Sequence, residues 1–293
     1  MLSRLTLIVI LTALPSMVWA SDILTSIKPI QMITQELTVQ MSTPDVLVSA
    51  NASPHDYALR PSDVKRIRQA DLVIWFGPDL EPFLEKSLSQ HRNVLTLSEI
   101  PNLALRAYRE EASHHHEGHH HGTHDPHFWL GVEQVKTVAH AIAERLSDTD
   151  PENSKTYQDN LAQFLVKLDK TDKAITQQLT SVSRKPYYVF HDAYAYFEER
   201  YGLNNIGHFT VSPDRKPGAK TLINIRNDLA HHRAVCVFSE PQFQPAVIET
   251  VVRGSQANIG ILDPLGAETA VQMGSYFTFL EQLANSFYTC LSQ

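Results

Sequence analysis

Long hydrophobic runs are missing from this sequence beyond its first twenty residues. The apolar run from Leu5 to Leu14 is only about half of the ~20 residues that a membrane-spanning helix needs. Arg4 precedes this run and the small-residue pattern Val18-Trp19-Ala20 follows it, an order typical of a cleavable secretory signal. We therefore expect residues 1–20 to be removed, leaving a soluble exported chain that begins at Ser21.

Cysteine is also scarce, since Cys236 and Cys290 are the only two. A lipid anchor needs a cysteine directly after the signal, so lipidation is not expected. In an oxidising compartment, two cysteines of one domain favour a disulfide. Closing their separation of 54 residues would stabilise the fold by about 4 kcal/mol through the loss of unfolded-chain entropy. The alternative is two separate buried thiols.

Positive charge is in deficit, with 25 Lys and Arg against 32 Asp and Glu and a formal net charge of −7. Removal of the signal takes Arg4 away and makes the charge one unit more negative. Such a chain has no electrostatic surface for phosphate backbones, which excludes nucleic acid as a partner. The sequence also lacks a His-Glu-x-x-His motif and a nucleophile elbow, so no motif indicates a hydrolase.

Short apolar runs alternate with longer helix-like segments, an order that predicts parallel strands joined by crossover helices. The predicted strands form two groups: Ile23 to Ile27, Val46 to Ser49, Leu72 to Phe76 and Val94 to Leu97, then Tyr187 to Phe190, Val235 to Phe238 and Ile259 to Leu262. We expect an α/β fold of two lobes, each a mainly parallel β-sheet flanked by helices. The lobes are predicted at residues 21–150 and 186–293.

The segment between the two groups of strands, residues 151–185, predicts one long helix. Asp150 is a candidate N-cap and Pro151 suits the first helical position. Apolar residues then recur at helical spacing as far as Leu179, and the helix is expected to end near Pro186. A helix of about thirty residues would extend roughly 45 Å and join the lobes rigidly, which disfavours a large hinge motion.

Histidine is the abundant and informative residue, with fifteen in the chain. Residues 113–124, the histidine-rich segment, contain His114, His115, His116, His119, His120, His121 and His124. Such a segment cannot build an apolar core, so a surface loop is predicted, and neutral imidazoles suit zinc, copper or nickel. The alternatives are an engineered tag or a polar linker. A role in collecting zinc, in sensing abundant zinc or as a plain linker stays open.

Three further histidines follow predicted strands or their exit loops, namely His55, His127 and His191. Ligands of open α/β sheets bind at the carboxyl ends of strands, so these histidines are expected to converge there. The adjoining carboxylates Asp56 and Asp192 are expected either to orient the rings through their second nitrogens or to cap the next helices.

A fourth candidate ligand is Asp263, which follows the last predicted strand. Three imidazoles with one carboxylate or one water would form a tetrahedral Zn²⁺ site. The competing interpretation of Asp263 is a turn or cap residue before Pro264.

At this point the motifs resemble the metal-binding solute-binding proteins of ABC transporters, in particular the zinc-uptake (ZnuA-type) branch. The resemblance covers essentially the whole mature chain. It rests on motifs in this order: Ser26-Ile27-Lys28-Pro29, Pro54-His55-Asp56-Tyr57-Ala58-Leu59-Arg60-Pro61-Ser62-Asp63, Ala70-Asp71-Leu72-Val73-Ile74-Trp75-Phe76-Gly77, Asp125 to Leu130, Phe190-His191-Asp192-Ala193-Tyr194 and Leu262-Asp263-Pro264-Leu265-Gly266.

The resemblance implies two α/β lobes joined by a rigid helix, with Zn²⁺ in the cleft between them. It implies that His55, His127 and His191 match the metal-ligand histidines of the family. In manganese-binding relatives a carboxylate stands where this chain has His191, so the resemblance favours zinc. Zinc relatives often have a glutamate just before the first ligand histidine, whereas this chain has Pro54. The fourth ligand is therefore either water or Asp263.

The resemblance also implies a periplasmic protein that delivers zinc to the membrane permease of an ABC importer, which is driven by a cytoplasmic ATPase. We expect a monomer. Three alternatives remain open: a zinc-dependent hydrolase, a manganese- or iron-binding protein of the same fold, and a zinc buffer or adhesin that never contacts a permease. The histidine-rich segment before His127 and the late pair of cysteines also look like the zinc branch.

Overall fold

The computed structural model describes residues 22–107, 124–211, 213, 216–243 and 246–293. The expected signal at residues 1–20 lies outside the described residues. So do six histidines of the histidine-rich segment, namely His114, His115, His116, His119, His120 and His121. Within the described parts of the chain, no helix is both long and apolar enough to span a membrane.

The N-terminal sheet has four parallel strands in the order β2-β1-β3-β4. Its strands are β1 (Ile23–Thr25), β2 (Asp45–Val46), β3 (Leu72–Trp75) and β4 (Val94–Thr96). Every residue of β1 and β3 is buried, because helices cover both faces of a parallel sheet. The accompanying helices are α1 (Lys28–Leu37), α2 (Pro61–Gln69), α3 (Glu85–Leu88) and α4 (Val132–Thr149).

The C-terminal sheet repeats this plan in the order β6-β5-β7-β8, again all parallel. Its strands are β5 (Tyr187–His191), β6 (Asn205–Thr210), β7 (Cys236–Ser239) and β8 (Asn258–Ile261). Its helices are α6 (Ala195–Tyr201), α7 (Ala219–Ala230), α8 (Ala246–Val252) and α9 (Ser275–Leu291), while α5 (Ser154–Leu179) precedes the sheet. The two sheets confirm the predicted two-lobe α/β fold.

The edge strand β6 was not predicted from the sequence. Asn205-Ile206-Gly207 is typical of a turn, because asparagine and glycine favour such conformations. The strand pairs with β5 through an irregular register beside Tyr188. A Cβ added to Gly207 would lie 2.8 Å from the Tyr188 ring, so glycine allows this close approach.

The long helix is real but shorter than predicted. Helix α5 has 26 residues and follows a short 3₁₀ turn at Pro151–Asn153, so it is about 39 Å long. It ends at Leu179 rather than near Pro186. The Asp150 carboxylate does not cap the backbone as expected, because it accepts hydrogen bonds from the Tyr157 hydroxyl and the Asn153 side chain.

The two lobes pack directly against each other. Helix α5 contacts α1 and α4 of the N-terminal lobe as well as α9 of the C-terminal lobe. The Trp129 indole N–H donates to the Pro264 carbonyl at 2.7 Å, and the Tyr276 hydroxyl donates to the Trp129 carbonyl at 2.6 Å. One continuous apolar core includes residues of both lobes, such as Ile74 and Phe238. These contacts oppose a wide separation of the lobes.

The predicted disulfide is confirmed. Cys236 in β7 is bonded to Cys290 in α9, with their Cα atoms 6.0 Å apart. Both residues are buried in the C-terminal lobe. The bond therefore fixes the last helix to the middle of the C-terminal sheet.

Candidate metal centre

His55, His127 and His191 converge between the two lobes. One ligand nitrogen from each ring can be chosen so that all lie within 4.8 Å of one another. The Nε2 atoms of His127 and His191 are 3.4 Å apart. Two nitrogens bound tetrahedrally to Zn²⁺, with bonds of about 2.0–2.1 Å, would be separated by about 3.3–3.4 Å. The spacing of these rings thus fits a tetrahedral zinc ion.

Each histidine reaches the cleft from a different kind of element. His191 is the last residue of β5, which lies beside β7, and the chain leaves these two strands toward opposite sides, from β5 to β6 and from β7 to β8. This is the crevice in which open α/β sheets bind ligands. His127 precedes a 3₁₀ turn at Phe128–Leu130, and its ring lies 5.2 Å from that of Trp129. His55 lies in the irregular segment between β2 and α2.

Two carboxylates orient two of the rings. Asp125 Oδ1 lies 2.7 Å from His127 Nδ1, and both Glu240 oxygens lie 2.7 Å from His191 Nδ1. A neutral ring in this arrangement carries its proton on Nδ1 and leaves Nε2 free for a metal. Glu240 therefore takes the place at His191 that the sequence suggested for Asp192.

These carboxylates also supply charge. The Asp125 and Glu240 side chains are almost fully buried, and three neutral imidazoles contribute no charge of their own. Two carboxylates balance the two positive charges of a zinc ion, and a buried ion needs such compensation. The arrangement suits a divalent cation bound through nitrogen.

The pKa of His55 is lowered well below its ordinary value. Removal from water is the main cause, and the neighbouring rings of His127 and His191 add to it. A lowered pKa keeps this imidazole neutral near pH 7, and only the neutral ring binds a metal.

Asp263 is not part of the group of converging ligand atoms. Its carboxylate accepts hydrogen bonds from the backbone N–H groups of Leu265, Gly266 and Ala267 at 3.0, 3.1 and 2.5 Å. The Gln242 side chain donates a fourth hydrogen bond at 2.9 Å. These contacts are those of a turn residue, which was the competing interpretation of Asp263.

A second network connects Asp125 with the C-terminal lobe. Its Oδ2 lies 3.4 Å from the Arg106 guanidinium, which also pairs with Glu199 of α6 at 2.9 Å. The Tyr196 hydroxyl donates to the Asp125 carbonyl at 2.8 Å and accepts from the Arg106 N–H at 2.9 Å. The orientation of His127 thus depends on contacts from both lobes.

The last residue of the histidine-rich segment, His124, lies beside this network. Ala107 and His124 form an antiparallel bridge, and the Asp125 N–H donates to the Arg106 carbonyl at 2.8 Å. His124 is the one histidine of that segment within the described residues. It lies three residues before the candidate ligand His127.

The cavity among the three histidines is about 10 Å³. Sites for small organic molecules usually measure about 300–1,000 Å³. At this position the described residues therefore leave space for an ion rather than for an organic substrate.

Comparison with known proteins agrees with this geometry. A family profile described as "ZnuA: Zinc-uptake complex component A periplasmic" matches residues 23–290. The "High-affinity zinc uptake system protein ZnuA" of Yersinia pestis is 42% identical over 301 residues, which cover 96% of this chain and 95% of that protein. The protein with the same name from Haemophilus ducreyi is 40% identical, covering 93% of this chain and 94% of that protein.

Solved structures share the fold. A crystal structure of a ZnuA deletion mutant with zinc bound has a TM-score of 0.78 at 27% identity, and the match covers 94% of this chain and 99% of that one. The periplasmic zinc-binding protein TroA from Treponema pallidum has a TM-score of 0.82, covering 94% of this chain and 100% of that one. At 22% identity, TroA shows the shared fold alone. With the family profile and the close relatives, the findings establish that this chain belongs to the ZnuA family of periplasmic zinc-uptake components.

Proposed function

We propose that this protein captures Zn²⁺ in the cleft between its lobes through His55, His127 and His191, and passes it to the permease of an ABC-type importer. Family membership makes the chain a zinc-binding transport component rather than an enzyme. The observation that carries the ligand assignment is the convergence of three imidazoles from both lobes, two of them oriented by buried carboxylates.

The chain acts in the periplasm, as its family does. The proposal includes removal of residues 1–20 during export and a monomeric mature protein. It also takes residues 21–150 and 186–293 as the lobes that residues 151–185 connect. The membrane permease, with its cytoplasmic ATPase, is the partner that receives the ion.

Nitrogen ligands favour zinc over manganese at this site. Manganese prefers carboxylate, carbonyl and water oxygens, whereas imidazole suits zinc. The carboxylates near the rings contact Nδ1 atoms, so Asp125 and Glu240 support the ligands instead of replacing them. A manganese- or iron-binding protein remains the second candidate because it would share this fold.

The test is a calorimetric titration of the metal-free mature protein with Zn²⁺ and Mn²⁺. We expect one tight Zn²⁺ event, preferred over Mn²⁺ and greatly weakened by His191→Ala. The matched control is His140→Ala, because His140 is exposed on α4 and lies outside the cluster. Tight zinc binding that survives loss of His191 would place the main site elsewhere, and tighter binding of Mn²⁺ would favour the second candidate.

We propose that the histidine-rich segment provides additional, weaker metal sites. Replacing His114, His115, His116, His119, His120 and His121 with serine should remove weak binding events and leave the tight event intact. This design keeps His124 and its bridge to Ala107. Loss of the tight event in this variant would contradict the assignment of the main site to the cleft.

A further inference from the structure

The side-chain amide of Gln242 lies at the contact between the two lobes. Its Nε2 donates to the Ala50 carbonyl of the N-terminal lobe at 3.0 Å and to Asp263 Oδ1 of the C-terminal lobe at 2.9 Å. Both partners are acceptors, which fixes the orientation of the amide, because a flipped amide would place oxygen against oxygen. The other end of the amide is therefore the oxygen, Oε1.

Oε1 of Gln242 is buried and has no hydrogen-bond partner among the described residues. Leaving a buried polar atom unpaired costs about 1–3 kcal/mol, so such atoms are usually paired with protein, water or a bound ligand. Gln242 lines the same cavity as His55, His127 and His191. Ala50 and Asp263 already engage Nε2, so Oε1 is the end of the amide that is left to accept a hydrogen bond.

Zinc bound by three histidines has one coordination position left in a tetrahedral site. The Asp263 carboxylate is already engaged by three backbone N–H groups and by Gln242. Water bound to zinc is a hydrogen-bond donor, and an amide oxygen is an acceptor.

We propose that Gln242 positions the fourth zinc ligand, a water molecule that donates a hydrogen bond to Oε1. This inference rests on the proposed zinc site at His55, His127 and His191. The same amide contacts both lobes through Nε2, so the position of the water depends on how the lobes meet. Gln242 is a positioning residue, since it contacts the water rather than the metal.

The test compares Gln242→Met with the wild type. Methionine keeps a long, unbranched side chain but removes both ends of the amide. The matched control is Gln134→Met, because the Gln134 amide donates to the Ala104 carbonyl on the surface of the N-terminal lobe. Each mature protein is titrated with Zn²⁺, and the visible absorption bands of its Co²⁺ complex are recorded, since these bands report the ligands of the metal.

We expect Gln242→Met to weaken Zn²⁺ binding roughly 10- to 100-fold, as loss of groups that support metal ligands does. We also expect it to shift the Co²⁺ bands, whereas Gln134→Met should change neither. Weaker binding with unchanged bands would mean that Gln242 is only a contact between lobes, which would overturn the proposal. Unchanged affinity would overturn it as well. If His191→Ala bound Zn²⁺ as tightly as the wild type, that result would instead refute the underlying zinc site.

Discussion

Replacing Glu240 with glutamine tests how much this carboxylate contributes to zinc affinity, because the ligand that it contacts, His191, is left unchanged. The Glu240 side chain is fully buried, and both of its oxygens lie 2.7 Å from His191 Nδ1. Glutamine has nearly the same shape, but it carries no charge and only one accepting oxygen. The variant Glu240→Gln therefore removes the negative charge and one accepting oxygen, while it leaves the three imidazoles in place.

The expected loss of affinity follows from the geometry. A hydrogen bond of 2.7 Å, an imidazole ring and a Zn–N bond of about 2 Å place the carboxylate roughly 6–7 Å from the ion. At that distance, the attraction between one negative charge and Zn²⁺ is about 1 kcal/mol in water and about 5 kcal/mol at an effective dielectric of 20. Loss of groups that support metal ligands typically costs about 10- to 100-fold. We expect Zn²⁺ affinity to fall about 30-fold, or about 2 kcal/mol.

The assay is competition for Zn²⁺ against a chromogenic chelator at pH 7.5 and constant ionic strength. The control Glu249→Gln removes the same charge from an exposed position on α8 of the same lobe. Circular dichroism of the metal-free proteins checks that both variants fold. An affinity for Glu240→Gln within twofold of the wild type would refute the assignment of Glu240 as the support of His191.

Three further predictions concern stability and pH. Replacing Cys236 and Cys290 with serine should lower the free energy of unfolding by about 4 kcal/mol, as measured in urea; a loss below about 1 kcal/mol would contradict the chain-entropy argument. An NMR titration of the metal-free protein should show His55 protonating below pH 6.5. As pH falls, the unfolded chain takes up this proton before the folded protein does, so the His55 contribution to stability falls as pH drops below about 6.5. An NMR titration midpoint at or above pH 6.5 would contradict the lowering of the His55 pKa by burial. Burial raises the pKa of Glu81 to about 7, so its contribution to stability is lost as pH rises from about 4.5 to 7. Glu81→Gln should therefore raise the melting temperature more at pH 8 than at pH 5. Equal increases at the two pH values would contradict the assignment of this effect to the Glu81 carboxylate.

The sequence predicts the ligand histidines well because each follows a strand or its exit loop. The carboxyl ends of parallel strands meet at one edge of a sheet, and this rule brings His191 into the cleft without knowledge of the packing. The rule cannot identify the carboxylate beside the ring. Glu240 lies 49 residues from His191 and reaches it because β7 pairs with β5. Its signal in the sequence was its position soon after a predicted strand.

Contacts between the lobes were beyond sequence reasoning. The bridge from Gln242 to Ala50 joins residues 192 positions apart and exists only once both lobes have folded and packed. The bounds of α5 show a similar limit, because the apolar spacing stops at Leu179 with the helix, whereas the expected end was placed near the next proline, Pro186. Strand β6 was missed because its Asn-Ile-Gly start has the composition of a turn.

Helix α5 packs against both lobes, and this packing affects how the loaded and empty forms of the protein would dock on the permease. A protein whose lobes cannot separate widely presents the permease with nearly the same outer surface whether it is loaded or empty. The empty form should then compete with the loaded form for docking, and an excess of binding protein over zinc would slow uptake. The ratio of protein to metal in the periplasm, as well as the affinity of the site, would set the rate of zinc entry.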